Sequence, residues 1–263
     1  MHAFQGRSGT LRSLNRARVG TLPEILADPA IVGKTGLQLA TGWALIHDLT
    51  VSAAELGLDP AGHDLPRAFD RLLSHPATPE PQRLQAEEIA RRFGHRLGCL
   101  LLALKRGEPA TRATRPEWGD EQWAFWHDLR RVVIGGGLLS GRIGELALPT
   151  AQGVLNAHGA ADLGLERSRF GAAVAIAGLA RCLPLPGEVR WVFDFGQTSI
   201  KRGIAAYADG RVTTLTVRTS KPSVCPSIEV TDADRDDVER QWAAMLDVVA
   251  ESVEAGPSTV EAI

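Results

Sequence analysis

Cysteine is scarce in this chain: Cys99, Cys182 and Cys225 are three isolated thiols without paired spacing. That excludes a disulfide framework and a cysteine-based zinc site, and it is the pattern of reduced, cytoplasmic thiols. Long apolar runs are also lacking, and none approaches the roughly 20 residues needed to cross a bilayer. Charge of one sign is not in excess either. With 29 Lys and Arg against 31 Asp and Glu, the formal net charge is −2, so no global field recruits nucleic acid or an anionic membrane. The opening stretch, Met1 to Arg18, is basic and Arg-rich like a transit peptide, but it carries no apolar segment of a secretory signal.

What is present belongs to a globular chain. The 263 residues are 44% apolar and 23% charged, enough for one large domain or two ordinary ones. Residues 1–20, rich in Arg, Gly and Ser, read as an irregular arm. From Leu22 to Leu56 the pattern is that of two or three short helices broken near Pro29 and Gly33, and Leu65 to His75 predicts another. The strongest helix runs from Pro81 to Arg106, with Leu84, Ile89, Phe93, Leu97, Leu100, Leu101 and Leu104 on a broad apolar face and Gly107 as its stop. Leu129 to Ile134 predicts a short buried strand opening onto Gly135-Gly136-Gly137. Leu138 to Gly153 contains a short helix, and Phe170 to Cys182 predicts a small-residue helix. After a Pro184 to Gly187 linker the period changes. Val189–Phe193, Ser199–Tyr207 and Arg211–Thr219 read as three successive strands, the last two joined by an Asp209-Gly210 hairpin turn. Thr231 to Glu254 closes the series as an amphipathic helix. The expected organisation is an arm at 1–20, a helix-rich lobe at 21–186, and a β-meander lobe with a C-terminal helix at 187–263.

Residues 191–204 carry the most chemical information. Three apolar residues lead into Asp194, the turn Gly196-Gln197-Thr198 follows, and the strand resumes through Lys201. A turn of this type offers N–H groups and a hydroxyl to phosphate oxygens. Its carboxylate, Asp194, suits a hydrated Mg²⁺, and Lys201 adds a compact positive charge. An ordinary hairpin with a surface lysine has the same composition. Gly135, Gly136 and Gly137 would let backbone approach an adenosine with no Cβ in the way, although glycines after a strand are also a plain turn. The Trp118, Trp123 and Trp126 cluster, with Arg112, Arg115 and His127, reads as satellite core in preference to a stacking platform. His47, His95 and His158 lack metal spacing and read as structural. Asp232, Asp234, Asp236 and Asp237 read as first-turn helix acids.

These motifs resemble the actin, sugar kinase and heat-shock-chaperone superfamily, and within it the ROK family of sugar kinases and repressors. The family's phosphate motif is Asp-x-Gly-Gly-Thr-x-x-Lys. Asp194, Gly196, Thr198 and Lys201 match it, while Gln197 departs. The run Val132 to Leu138 matches the family's adenosine motif, Gln85 to Lys105 its preceding helix, and Phe170-Gly171-Ala172-Ala173 its closing helix. The resemblance implies α/β lobes of the actin-like ATPase (ribonuclease H-like) type, with ATP and Mg²⁺ as cofactors. It further implies phosphorylation of a sugar hydroxyl and a homodimer.

Three departures qualify that implication. The lobe order is reversed, as in a circular permutant. The family's zinc-binding cysteine cluster is absent. No second phosphate motif and no sugar-side loop with a catalytic Asp follow residue 254, so a fragment or a degenerate protein is expected, with the catalytic base unassigned and little kinase turnover from this chain alone. Positioning in good cases contributes roughly 7–11 kcal/mol, far more than a general base, so the missing loop weighs more than the missing Asp. The alternatives are a non-catalytic sugar- or nucleotide-sensing regulator and a scaffold that pairs with another chain or with a complementary segment. DNA binding is not expected, because residues 1–30 are too short and Gly-rich for a helix-turn-helix.

Overall fold

The computed structural model describes residues 14–61, 65–182, 189–195, 199–209, 211–222 and 235–255. It is mixed α/β and divides into two compact units, Met1–Ser168 and Arg169–Ile263. The sequence places the boundary near residue 186, whereas this division groups the helix after Phe170 with the strands.

The first unit contains α1 (Gly36–Leu39), α2 (Gly42–Val51), α3 (Ala53–Leu56), α4 (Leu65–Ser74), α5 (Glu80–Arg106), α6 (Pro109–Arg112), α7 (Asp120–Asp128), β1 (Arg131–Ile134), α8 (Arg142–Ala157) and β2 (Gly164–Arg167). Part of the expected arm is ordered: Leu14–Arg16 forms a 3₁₀ turn, and Arg18 bridges to Thr35. Thr35 and Thr41 cap the next two helices through their side chains, Thr35 with Gln38 in a reciprocal capping box.

Helix α5 is the axis of this unit. Pro81 in its first turn and left-handed Gly107 after its last (φ +53°) set its limits. Ile89, Phe93, Leu97, Leu100, Leu101 and Leu104 are all buried in one continuous core. Leu84, which belongs to the same sequence pattern, is 55% exposed. On the face toward α8 stand Gly94 and Gly98. A Cβ on Gly94 would lie 2.2 Å from the Ala147 carbonyl oxygen, and one on Gly98 would lie 2.8 Å from that of Ala151. Two glycines spaced by four on α5 thus meet two alanines spaced by four on α8, and the backbones approach to a distance that no larger residue permits.

Helix α8 is longer than the short helix expected before Gly153, because it continues through Pro149. Burial of Ala147, Leu148, Ala151, Val154 and Leu155 against the core outweighs the local proline cost. It serves as the crossover between β1 and β2, which pair in parallel from Arg131↔Gly164 to Ile134↔Arg167. The sequence gives no sign of β2, whose Gly-Leu-Glu-Arg has no alternation. Strand β1 is not the buried strand expected: its residues alternate between exposed and half-buried, and Val133 is 56% exposed. The sheet has two strands, and only Val132, Ile134 and Leu165 turn toward the core.

Lys105 fixes the approach to β1. Its buried ammonium donates to the carbonyls of His127 (2.5 Å) and Leu129 (2.8 Å) and pairs with Asp162 at 3.0 Å. Burial and, secondarily, the Arg130 charge hold this amine below its ordinary value. Trp118, Trp123 and Trp126 are buried in the same core, with Arg115 stacked 4.3 Å from the Trp118 ring, so the cluster is packing, as the sequence indicates.

The second unit has α9 (Val174–Cys182), β3 (Val189–Phe195), β4 (Ser199–Ala208), β5 (Arg211–Pro222) and α10 (Arg235–Ala255). The three strands form the expected antiparallel meander in the order β3-β4-β5. Ile176 and Ala180 of α9 pack on Val192 and Ala205. Glycine is required at 203, because a Cβ there would sit 2.7 Å from the Ile176 methyl. The Tyr207 hydroxyl ties the same helix down by donating to the Ala180 carbonyl at 2.7 Å. Arg202 extends to α10, donating to Ser252 Oγ at 3.0 Å. No described helix is long and apolar enough to cross a membrane.

Gly94→Val or Gly98→Val is expected to force α5 from α8 and to destabilise the first unit by about 1–3 kcal/mol or more. Gly153→Ala, inside α8 with open space around it, is expected to stabilise by about 0.5–1 kcal/mol. Urea unfolding followed by circular dichroism measures both.

Candidate functional site

The hairpin site is built on β3. Its residues alternate: Val192 is buried under α9, and Asp194, two positions on, reaches the same face at the end of the strand. Cross-strand register places Asp194 opposite Lys201. Lys201 Nζ donates to Asp194 Oδ2 at 3.2 Å, and both side chains are 23% exposed. The other carboxylate oxygen has no partner among the described residues. Gly196, Gln197 and Thr198, the turn between these two residues, lie outside the described residues. The structure therefore brings two of the five hairpin residues together, as a half-buried acid–base pair near the end of β3.

The donor chemistry suits a hydrated Mg²⁺ shared with phosphates. One carboxylate is enough where phosphate supplies further ligands, because Mg²⁺ keeps several waters and rarely takes an all-protein cage. Among the described residues there is no group of three or more His, Cys, Asp or Glu that could hold a metal ion by itself.

The triple glycine lies in the other unit, at the end of β1. Gly136 has φ +110°, a conformation that favours glycine, and nothing lies within 4 Å of where its Cβ would be. The loop then closes on itself, with Ser140 Oγ donating to the Gly137 carbonyl at 2.8 Å. A planar group could thus approach the backbone at Gly136. Gly141 and Gly144, further along the chain, are structural. A Cβ on Gly144 would meet the Leu139 carbonyl at 2.0 Å, and one on Gly141 would meet the Asp70 carboxylate at 2.3 Å.

Asp70 is a residue that sequence reasoning missed. It reaches from α4 to cap α8, its Oδ1 accepting from the Ile143 N–H at 2.9 Å. A carboxylate contributed by another helix leaves no local signature. Its presence also means that the N-terminal end of α8 already has its anion.

Two further groups have the composition of reactive sites. Cys99 Sγ lies 3.6 Å from His95 Nε2. Yet the thiol is fully buried, and burial, aided by the Asp28 charge, pushes it up to about 12, so this is an inert core cysteine. Asp48 is buried and takes Arg96 at 2.7 Å and Arg92 at 3.7 Å, a structural ion cluster that joins α2 to α5. Glu145 is held below the usual carboxylate range by its hydrogen bond from Arg142.

No family model matches this chain, and neither the curated proteins nor the solved structures contain a match.

Cys99 yields a pH prediction. Its folded value lies above the ordinary 9.0, so the neutral thiol's contribution to stability is complete below pH 9 and is lost as pH rises from 9 through about 12. With Cys182 and Cys225 replaced by Ser, the native chain should not react with a thiol reagent at pH 8, and urea should release one reactive thiol.

Proposed function

We propose that this chain binds Mg·ATP with a ROK-like, actin-type (ribonuclease H-like) fold whose lobes stand in permuted order, a fold implying phosphorylation of a sugar hydroxyl. One observation carries the reading. Asp194 and Lys201, the first and last residues of the matched phosphate motif, face each other across the hairpin, and the second carboxylate oxygen has no partner among the described residues. The resemblance implies adenosine contact at the triple glycine, and within the first unit Gly136 has positive φ and open space where a Cβ would be.

In this reading Asp194 orients metal-bound water through its second oxygen, and Lys201 holds a phosphate oxygen and keeps the carboxylate in place. The turn Gly196-Gln197-Thr198 supplies N–H and hydroxyl donors. Gly135, Gly136 and Gly137 present bare backbone to the nucleoside. Bound Mg²⁺ would supply charge neutralisation at the phosphates. Phosphoryl transfer depends on such positioning and electrostatics more than on any single base. Asp194 already holds Lys201 by a salt bridge, which makes it an orienting group and not a free general base for a sugar hydroxyl. That observation favours a second reading, a regulator of the same fold that senses nucleotide or sugar without turning it over. A homodimer, or a complementary segment that completes the cleft, belongs to either version.

Calorimetric titration tests the proposal. Asp194→Ala and Thr198→Ala are each expected to weaken Mg·ATP by about tenfold or more. Gly136→Val should weaken adenosine and ATP alike while leaving tripolyphosphate unchanged. Equal affinity in all variants would overturn the nucleotide reading. Labelled ATP with a hexose panel should give little turnover, and ordinary kinase rates would favour the catalytic version.

A further inference from the structure

A cleft of about 590 Å³ opens in the first unit between the end of α4, the turn after it, the first turns of α5 and the start of α8. Its volume falls in the range of small-molecule sites. Leu73 and the exposed Leu84 give it an apolar wall, and His75, Arg83, Glu87 and Arg142 give it charge and hydrogen-bonding groups.

Three of those four polar groups are already engaged. Glu87 accepts from Arg91 at 2.7 Å, and Arg142 donates to Glu145 at 2.8 Å. His75 Nδ1 accepts from the Ala77 N–H at 3.2 Å, which makes Nε2 the N–H donor of the neutral ring. Arg83 differs. It is half-buried, and its guanidinium has no hydrogen-bond or ion-pair partner among the described residues. A guanidinium partly withdrawn from water, with five donors and no acceptor, favours an anion that fits its planar fork. The N-terminal end of α8 is not the anion seat, because the Asp70 carboxylate occupies it.

We propose that this cleft binds a small organic anion, an acid group carried on an apolar or planar body. The acid group sits on Arg83 with a second hydrogen bond from His75 Nε2, and the body lies against Leu73 and Leu84. Carboxylate and phosphate share the chemistry that Arg83 recognises, and the two are separated by experiment. The proposal does not rest on the hairpin reading, since every residue it uses lies in the first unit.

The test is titration of the full chain, by calorimetry or by chemical-shift changes, with phenyl phosphate, benzoate, inorganic phosphate and benzyl alcohol. Phenyl phosphate or benzoate should saturate, and the tighter of the two identifies the acid. Benzyl alcohol should bind at least about tenfold more weakly, and Arg83→Gln should weaken the acid by a similar factor. Leu84→Gln should weaken phenyl phosphate but not inorganic phosphate. His75→Gln, at an exposed position, gives a second check and should weaken the acid by a smaller factor. Asp194→Ala, which should lose Mg·ATP if the hairpin binds it, should leave phenyl phosphate unchanged. Equal binding of benzyl alcohol, an unaltered affinity in Arg83→Gln, or saturation by none of the probes would overturn the proposal.

Discussion

The close approach of α5 and α8 is the contact on which the first unit depends. Gly94 and Gly98 admit the carbonyls of Ala147 and Ala151 to distances that leave no room for a methyl group. Such proximity is favourable because dispersion is gained over many atom pairs at once, and it is fragile because interiors do not yield to added volume. Other features follow from it. Helix α8 tolerates an internal proline, and β1 and β2 flank it in parallel. The triple-glycine loop springs from a strand whose approach is pinned by Lys105 on the carbonyls of His127 and Leu129.

The second unit uses the same device on a smaller scale. Gly203 brings α9 onto the meander, and Tyr207 fastens it through the Ala180 carbonyl. Strand alternation then delivers Asp194 to the helix-covered face, where Val192 is buried, and register delivers Lys201 opposite it. Neither residue needs a special conformation to meet the other. A two-residue period and an antiparallel ladder suffice, which explains why so short a motif can carry its own geometry.

Much of this was legible in the sequence for identifiable reasons. The face of α5 reads from Ile89 to Leu104 because its apolar residues recur at helical spacing, and Gly107 ends it because glycine tolerates φ +53°. The meander reads from its alternation and its Asp-Gly turn. The buried tryptophans read as core because large rings in an insertion pack beneath it. What escaped has equally definite causes. Strand β2 is four residues without a pattern, and it is a strand only because β1 offers it a ladder. Helix α8 passes Pro149 because tertiary burial outweighs local propensity. Asp70 caps a helix 73 residues away, and Arg83 reaches the cleft only because three helices pack around it.

By itself, then, the sequence determined the face of α5 and the three-stranded meander that sets Asp194 opposite Lys201, since both follow from short-range periodicity and steric preference. Tertiary structure alone decided which glycines face open space and which are points of close contact. Gly136 faces open space, while Gly94, Gly98, Gly144 and Gly203 each accept a neighbouring group where a Cβ would be. A glycine's letter reports only a missing side chain, and what fills the vacated space is set by segments far away in the chain.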